Sequence, residues 1–433
     1  MNIDSLRNPL DRRTFVERCA HYAFGLTVLP ALAGRTLGAD IPVATIAEAI
    51  ARGPGFGKAK RVIFLELQGG LSHIDSFDPK TGESKGPGNP IPTNADFQVT
   101  EYLPETAKIA NKITVIRSMT AKVGVHANAQ YLMRTGFEKR GTIVHPMLGA
   151  WAQHYLGPSH KTLPATVCVN RAANHGNGYF PASFSPLPLL DPDQGLANSA
   201  SHVSEDVQTK RLNLLEQLDA TFGRKTADDE NVRAYGDFYD TTLQLMKSSD
   251  LKAFDLSAEP AEMREKYGRN KFGQGCLLAR RLVENGVRFV EVSSGGWDMH
   301  KQLADSMEDR GAEFDRTFAA LVSDLDSRGL LDSTLVAVTT EFGRKPSFDG
   351  SGRGHHPLSF STVLAGGGVK RGFVYGASDA KGYEPESNPL TVGGFHATIA
   401  WAAGLPIEKE AMTPSGRPMT VGNKGKPAMG VFA

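Results

Sequence analysis

Short apolar runs that stop at glycine or polar residues recur along the chain, and they predict buried strands. Because these runs are apolar nearly throughout, rather than at alternate positions, we expect both faces of each strand to be covered. The runs are RVIFLELQGG (61–70), ITVIRSM (113–119), ATVCVN (165–170), VRFVEV (287–292), STLVAVTT (333–340) and LSFSTVLAGGG (358–368).

Segments with apolar residues at helical spacing separate these runs. A strongly helical block at about 203–260 interrupts the alternation, and we interpret it as an insertion. Residues 171–202 show no clear period and predict a long surface loop. Strands that alternate with helices predict an α/β domain with a central, mostly parallel sheet. The other predicted helices are 103–112, 127–133, 146–155, 273–286, with a capping Gly286, and 311–328.

The first 33 residues have the layout of an export signal. A basic pair, Arg12 and Arg13, precedes a modest apolar stretch (23–32) and an A-x-A cleavage sequence (31–33). The Arg-Arg-x-Phe core resembles a twin-arginine signal. The alternative is an amphipathic first helix that stays on the protein. We therefore expect an export signal at 1–33, a linker or entry segment at 34–60 and the folded domain at 61–433.

Composition narrows the range of partners. The chain has 433 residues, 40% of them hydrophobic and 22% charged, and a formal net charge of +1. This balance gives no reason to expect nucleic acid or an anionic membrane as a partner. No apolar run after the N-terminus is long enough to span a bilayer. Beyond the predicted signal, only Cys168 and Cys276 remain; we expect two buried thiols, with a single disulfide as the alternative.

Polar side chains follow the predicted strands one after another. In an α/β sheet, ligands bind at the carboxyl ends of the strands, so these side chains are the candidates for a site. Carboxylate oxygen and imidazole nitrogen together bind divalent metals such as zinc or manganese. The candidate metal ligands are His73, Asp75, Asp298, His300, Glu341, His355 and His356, and His126, Asn128 and Arg344 accompany them.

Each of these residues also has an ordinary structural explanation. Asp75 could cap the turn that contains Pro79, and Glu341 with Arg344 could form a local ion pair. His355 and His356 cannot both point into one site from an extended backbone. Asp298 and His300, at positions i and i+2, can converge on one ion if their segment is extended. Arg344 can instead bind a tetrahedral oxyanion with its guanidinium.

A family resemblance adds to this picture. The motifs ELQGGLSHIDSFDPK, HANAQYLMRTG, GGWDMH, TEFGRKP, GRGHHP, LAGGGVKRGFVYGASD and HATI occur in the order seen in a family of exported bacterial proteins, the one known as domain of unknown function 1501. That family resembles a branch of the alkaline phosphatase and sulfatase superfamily. The resemblance implies an alkaline phosphatase-like sheet with helices on both faces and a metal site at the strand ends. It places Asp75 in the first metal-binding segment, Asp298 and His300 in the second, and Glu341 and His355 or His356 after them.

The resemblance departs from the superfamily at one position. His126 stands where sulfatases have Cys or Ser and phosphatases have Ser or Thr, so covalent catalysis of the usual kind is in doubt. His126 remains a candidate as catalytic base, direct nucleophile or metal ligand.

Three functions follow from these observations. The first is an exported, periplasmic or extracellular, metal-dependent hydrolase of phosphate or sulfate esters. It would use one or two ions of zinc, manganese, calcium or magnesium, act on a small-molecule or glycan ester, and hold the oxyanion with Arg344 and Asn128. The second is a binding or scaffolding protein on the same fold, with a vestigial or structural metal site. A transferase acting on a glycan is the third.

Overall fold

The computed structural model describes residues 53–433, except 142, 172–175, 197–198, 200–202 and 226–229. The predicted export signal (1–33) and most of the predicted linker (34–60) lie outside the described residues. The last part of that linker is described and packs on the domain: Ala59 is buried, and its N–H donates to the carbonyl of Ala402 at 2.8 Å.

The strands in the described part of the chain include every run predicted above. They are β1 Arg61–Leu67, β2 Pro90–Pro92, β3 Gln98–Thr100, β4 Ile113–Thr120, β5 Thr166–Val169, β6 Leu187–Leu189, β7 Phe289–Ser294, β8 Thr334–Thr340, β9 Gly343–Arg344, β10 His355–His356, β11 Phe360–Ala365, β12 Phe373–Tyr375, β13 Ala377–Ser378, β14 Pro385–Ser387, β15 Leu390–Thr391, β16 Ala411–Met412 and β17 Pro418–Met419.

The helices alternate with the longer strands. They are α1 Pro104–Lys108, α2 His126–Thr135, α3 Leu148–Leu156, α4 Glu205–Lys225, α5 Glu230–Lys247, α6 Ala261–Tyr267, α7 Lys271–Glu284, α8 Leu303–Ser306, α9 Ala312–Ser327 and α10 Val392–Ala402. Helices α4 and α5 fall within the block predicted as a helical insertion.

Nine of the described strands form one sheet, in the order β12-β4-β11-β8-β1-β7-β5-β6, with β15 beside β4. Strand β11 is antiparallel to both of its neighbours, β4 and β8, and the other pairs are parallel. The sheet is therefore mostly parallel, as predicted. Four two-stranded ribbons, β2–β3, β9–β10, β13–β14 and β16–β17, lie outside it.

Helices cover both faces of the sheet, as the resemblance implied. Alternate residues of β1 enter two different hydrophobic clusters, because successive side chains of a strand point to opposite faces. Ile63 belongs to the cluster that contains Leu277 of α7 and Leu321 of α9. Phe64 belongs to the cluster that contains Trp151 of α3 and Ile399 of α10.

Two further predictions have clear outcomes. The segment 171–202 is not only a loop, because β6 adds a strand at the end of the sheet; prolines hid it from the sequence pattern, and Pro is tolerated in an edge strand. Cys168 and Cys276 are free and buried, as expected.

Within the described residues, no helix is long and apolar enough to cross a membrane.

Candidate active site

The candidate site lies where β1, β7 and β8 end. These three strands are adjacent and parallel, so the loops that follow them meet at one edge of the sheet. The loops come very close at Gly69, which has a φ of +125°, a conformation that favours glycine. A Cβ at Gly69 would collide with the backbone nitrogen of Asp298, so this close approach requires glycine.

His126 and Glu341 form a contact beneath the site. His126 is the first residue of α2, and its Nδ1 lies 2.8 Å from Oε1 of Glu341. The side chain of Glu341 is only 1% exposed. Its oxygens also accept hydrogen bonds from the Gly69 N–H, at 2.9 and 3.0 Å, and from the Gln130 amide, at 3.3 Å. The Glu341 carboxylate is therefore fully engaged with protein donors.

Asp298 is the centre of the exposed part of the site. Its Oδ1 lies 3.0 Å from Nε2 of His300 and 3.3 Å from Nε2 of His355. Its Oδ2 lies 3.3 Å from Nε2 of His126. Arg344 contacts Oδ1 from below, at 2.5 Å. The side chain of Asp298 is 47% exposed, so the carboxylate faces solvent above these four partners.

The electrostatic surroundings keep Asp298 charged and His300 neutral near pH 7. Burial acts to raise the pKa of Asp298, but the hydrogen bond and charge of Arg344 outweigh it and lower that pKa below its usual value. Burial lowers the pKa of His300, and the charge of Asp298 opposes this only in part. A carboxylate and a neutral imidazole are the forms that bind metal.

Two imidazoles of the site are oriented by their second nitrogen. The Nδ1–H of His126 faces Glu341, and the Nδ1–H of His355 donates to the carbonyl of Gly124 at 2.9 Å. Each ring therefore turns its Nε2 toward Asp298. The Nε2 of His126 is buried and makes no hydrogen bond. Histidines that ligate metals are typically held in this way by a carboxylate or carbonyl.

These donors fit a divalent metal ion. One ligand atom each from His126, Asp298 and His355 lies within 4.8 Å of the others. In the described part of the chain, this is the one such group of three or more His, Cys, Asp or Glu side chains. Two nitrogens and a carboxylate oxygen with an open side suit zinc or a similar ion.

The predicted oxyanion ligand Arg344 is not free to hold a substrate. It is completely buried, and its guanidinium donates to the carbonyls of Gly70 at 2.9 Å and Arg353 at 3.0 Å. It also donates to Gly69 and Trp297. Together with the Asp298 contact, these bonds commit its donors to the loops that follow β1 and β7 and to the segment between β9 and β10.

Two predicted ligands from the first loop lie apart from Asp298. Asp75 is buried in an ion pair with Arg353, with Nε to Oδ2 at 2.8 Å, and accepts from the Ser72 hydroxyl. His73 is buried, and its Nε2–H donates to the carbonyl of Gly382 at 2.9 Å. Burial lowers the pKa of His73 to about 4. The structure thus gives both residues structural partners.

The last two candidates also lie outside the group of three. His356 donates through Nε2 to the carbonyl of Tyr383 at 2.6 Å, so of the adjacent histidines only His355 contacts Asp298. Asn128 is exposed in the first turn of α2.

Several residues that the sequence did not reveal hold the site residues through hydrogen bonds or ion pairs. Gln130 and the Gly69 N–H hold Glu341, and Gly124 holds His355. Arg353 neutralises Asp75. The glycine pair after β1 and the arginine in SGRGHHP were visible in the sequence, but no pattern identified their partners.

Solved structures that resemble this one include a sulfatase, an alkaline phosphatase and a lipoteichoic acid synthase. The PsFucS1 sulfatase from Pseudoalteromonas sp. is 14% identical, with a TM-score of 0.42 over 90% of this chain and 78% of that one. The alkaline phosphatase from the Antarctic bacterium TAB5 is 13% identical, with a TM-score of 0.33 over 73% of this chain and 94% of that one. The lipoteichoic acid synthase LtaP from Listeria monocytogenes is 9% identical, with a TM-score of 0.39 over 85% and 76%.

Sequence comparison gives the family directly. No curated protein matches the chain. The family model described as "Protein of unknown function (DUF1501)" matches residues 59–432. Since this match covers most of the sequence, the chain belongs to the DUF1501 family.

Proposed function

We propose that the protein is a metal-dependent hydrolase of phosphate or sulfate esters. One observation carries this proposal: two imidazoles, with Nδ1 committed to the protein, direct Nε2 at a solvent-facing carboxylate that is held charged. This arrangement matches the needs of a metal ion with an open coordination position. The substrate would be a small-molecule or glycan ester.

His126, Asp298 and His355 would hold the ion, and His300 would lie beside it. When bound, a divalent ion supplies Lewis-acid stabilisation of developing negative charge and lowers the pKa of water. Glu341 would orient His126, and Arg344 would fix Asp298 without touching substrate. Hydrolysis would add water across the ester, giving the alcohol and the free phosphate or sulfate.

The start of α2 is the best candidate for binding the ester oxyanion. The first N–H groups of a helix have no intrahelical partners, and its N-terminus is electropositive. Asn128 is exposed in this turn, next to His126, and could donate an amide N–H to the same group. These donors would take the role that the sequence suggested for Arg344.

A non-catalytic binding protein is the second candidate. No hydrogen bond joins a Ser, Thr or Cys side chain to His126, Asp298, His300 or His355 among the described residues. In the described residues, no hydroxyl or thiol is thus bonded to the cluster as a nucleophile of the usual superfamily kind, which favours this alternative.

Metal content and turnover test the proposal together. We expect about one zinc or manganese ion per purified chain under metal-replete conditions, measured by elemental analysis. Asp298→Asn removes the central ligand charge, so we expect metal content to fall at least about tenfold. The same variant should lose turnover of aryl phosphate or aryl sulfate esters.

Asp309→Asn is the matched control, since Asp309 is an exposed aspartate outside the site. It should leave metal content and turnover unchanged. Wild-type protein that takes up well under one ion per chain would show that the metal site is wrong. Metal uptake without hydrolysis of any ester in the panel would favour the binding protein.

We also propose that the protein is exported through the twin-arginine route to the periplasm or beyond. Support comes from the order of basic, apolar and cleavage segments in residues 1–33. Replacing Arg12 and Arg13 with lysine should retain the protein in the cytoplasm, measured by cell fractionation. Unchanged export of this variant would disprove the route.

A further inference from the structure

A cavity, here called the basic pocket, lies between the segment that follows β4 and the C-terminal segment. Its volume is about 520 Å³, which falls within the range of about 300–1,000 Å³ common for small-molecule sites. Four cationic side chains line it: Lys122, Arg140, Arg417 and Lys424. Glu138 is the one acidic residue of this lining, so positive charge is in excess.

The four cations are unpaired in the described part of the chain. Within the described residues, none of them donates a side-chain hydrogen bond or joins an ion pair. All four residues are exposed. Unpaired like charges around one cavity repel each other, and a bound anion would relieve that repulsion.

The backbone around the pocket also favours an anion. Val392 and Gly393, at the start of the 11-residue helix α10, line the pocket. The Thr391 hydroxyl accepts from the Gly394 N–H at 3.1 Å and caps this end of the helix. An electropositive helix end therefore adds to the four side-chain charges.

Two segments connect the basic pocket to the candidate active site. Lys122 precedes Gly124 by two residues, and the carbonyl of Gly124 holds His355. Two residues of chain span at most about 7 Å. On the other side, Leu132 lines the pocket six residues after His126 on α2, which is about 9 Å along the helix.

We propose that the basic pocket binds a sulfate or phosphate group of a ligand that carries at least two such groups. The pocket holds one group while a second group reaches the Asp298 cluster. Anion binding in the pocket stands on the pocket's own charges. The bridging of the two sites, which makes the ligand a multiply charged ester, rests on the proposed function.

A sulfated heparin tetrasaccharide is the probe, with its desulfated form and inorganic sulfate as separate arms. The pocket variant combines Arg417→Gln with Lys424→Gln, both in the C-terminal segment and outside the proposed metal cluster. We expect the Kd of the tetrasaccharide, measured by calorimetry, to rise at least about tenfold, because two charge-assisted contacts are removed. The desulfated form should bind neither protein.

The control variant combines Lys161→Gln with Lys252→Gln, two exposed lysines outside the lining. It should bind the tetrasaccharide within about twofold of wild type, and thermal unfolding should show that both variants are folded. An unchanged Kd in the pocket variant, or an equal loss in the control, overturns the proposal. Inorganic sulfate is compared with the tetrasaccharide at an equal concentration of sulfate groups. If it then displaces the tetrasaccharide fully, the claim of a multiply charged ligand is overturned.

Asp298→Asn separates this proposal from the proposed function. If Asp298→Asn abolishes binding of the tetrasaccharide and the pocket variant leaves it unchanged, the anion binds at the Asp298 cluster. That result refutes the pocket proposal. The opposite result is also possible: the pocket variant weakens binding, while the wild-type protein takes up no metal and hydrolyses no ester. That result refutes the proposed function and supports the pocket proposal.

Discussion

At the scale of single residues, Glu341 shows how a buried group can control an exposed one. Its side chain is 1% exposed, and its contact with Nδ1 of the partly exposed His126 favours a proton on that nitrogen. The sequence pattern named Glu341 as a metal ligand because it follows β8. Its hydrogen bonds suit a positioning residue better, since the Gly69 N–H and Gln130 already occupy its oxygens.

Glu341→Gln tests this positioning role. The amide keeps the size of the side chain but loses the charge that favours the Nδ1–H tautomer of His126. We expect metal affinity to fall about 10–100-fold, less than for loss of a ligand. A competitive chelator titration measures this change.

NMR of the imidazole nitrogens gives a second readout for the same variant. It should show a single Nδ1–H tautomer for His126 in the wild type and a mixture in Glu341→Gln. Glu386→Gln, at an exposed glutamate, is the control. If Glu341→Gln leaves metal affinity unchanged, the positioning role is contradicted. If it removes metal binding as completely as Asp298→Asn does, Glu341 is a metal ligand instead.

At the scale of elements, the strand-end rule named candidates after three parallel strands, and the two after β1, His73 and Asp75, have other partners. It named Asp298, His300 and Glu341, which follow β7 and β8. His355 was named on its loop, but it precedes a strand. It reaches the same edge because β11 is antiparallel, so the start of β11 lies beside the ends of its neighbours.

Several short elements were not predicted by the sequence pattern. Ribbon β9–β10 pairs residues whose contacts depend on the turn between them, and β6 carries a proline within a short run. Asp75 looked like a ligand because its partner Arg353 is 278 positions away along the chain. Burial and pairing of this kind depend on the assembled sheet, and no local pattern contains them.

At the scale of the whole molecule, stability should depend on pH through a buried histidine. His396 of α10 is 1% exposed, and its Nε2–H donates to the carbonyl of Met133 at 2.6 Å. Burial lowers its pKa from 6.5 to about 4, although the Met133 hydrogen bond opposes this shift. Between these two values the unfolded chain binds the proton more tightly, so stability falls as the pH drops from about 6.5 to 4.

His396→Gln tests this dependence. Between pH 7.5 and 5, we expect the free energy of unfolding of the wild type to fall by about 2 kcal/mol more than that of the variant. The variant is less stable at pH 7.5 but lacks the titrating ring. Urea unfolding at both pH values measures the difference, and parallel losses in the two proteins would show that His396 is not responsible.

The completely buried Arg344 has a consequence for the kinetics of metal binding. One guanidinium joins the loops after β1 and β7 through their carbonyl oxygens and holds Asp298 as well. Because these loops are tied together by the protein itself, an arriving ion has no loop to order before it binds. We therefore expect the association rate to be limited by encounter and by the loss of water from the ion, with the conformational step already complete.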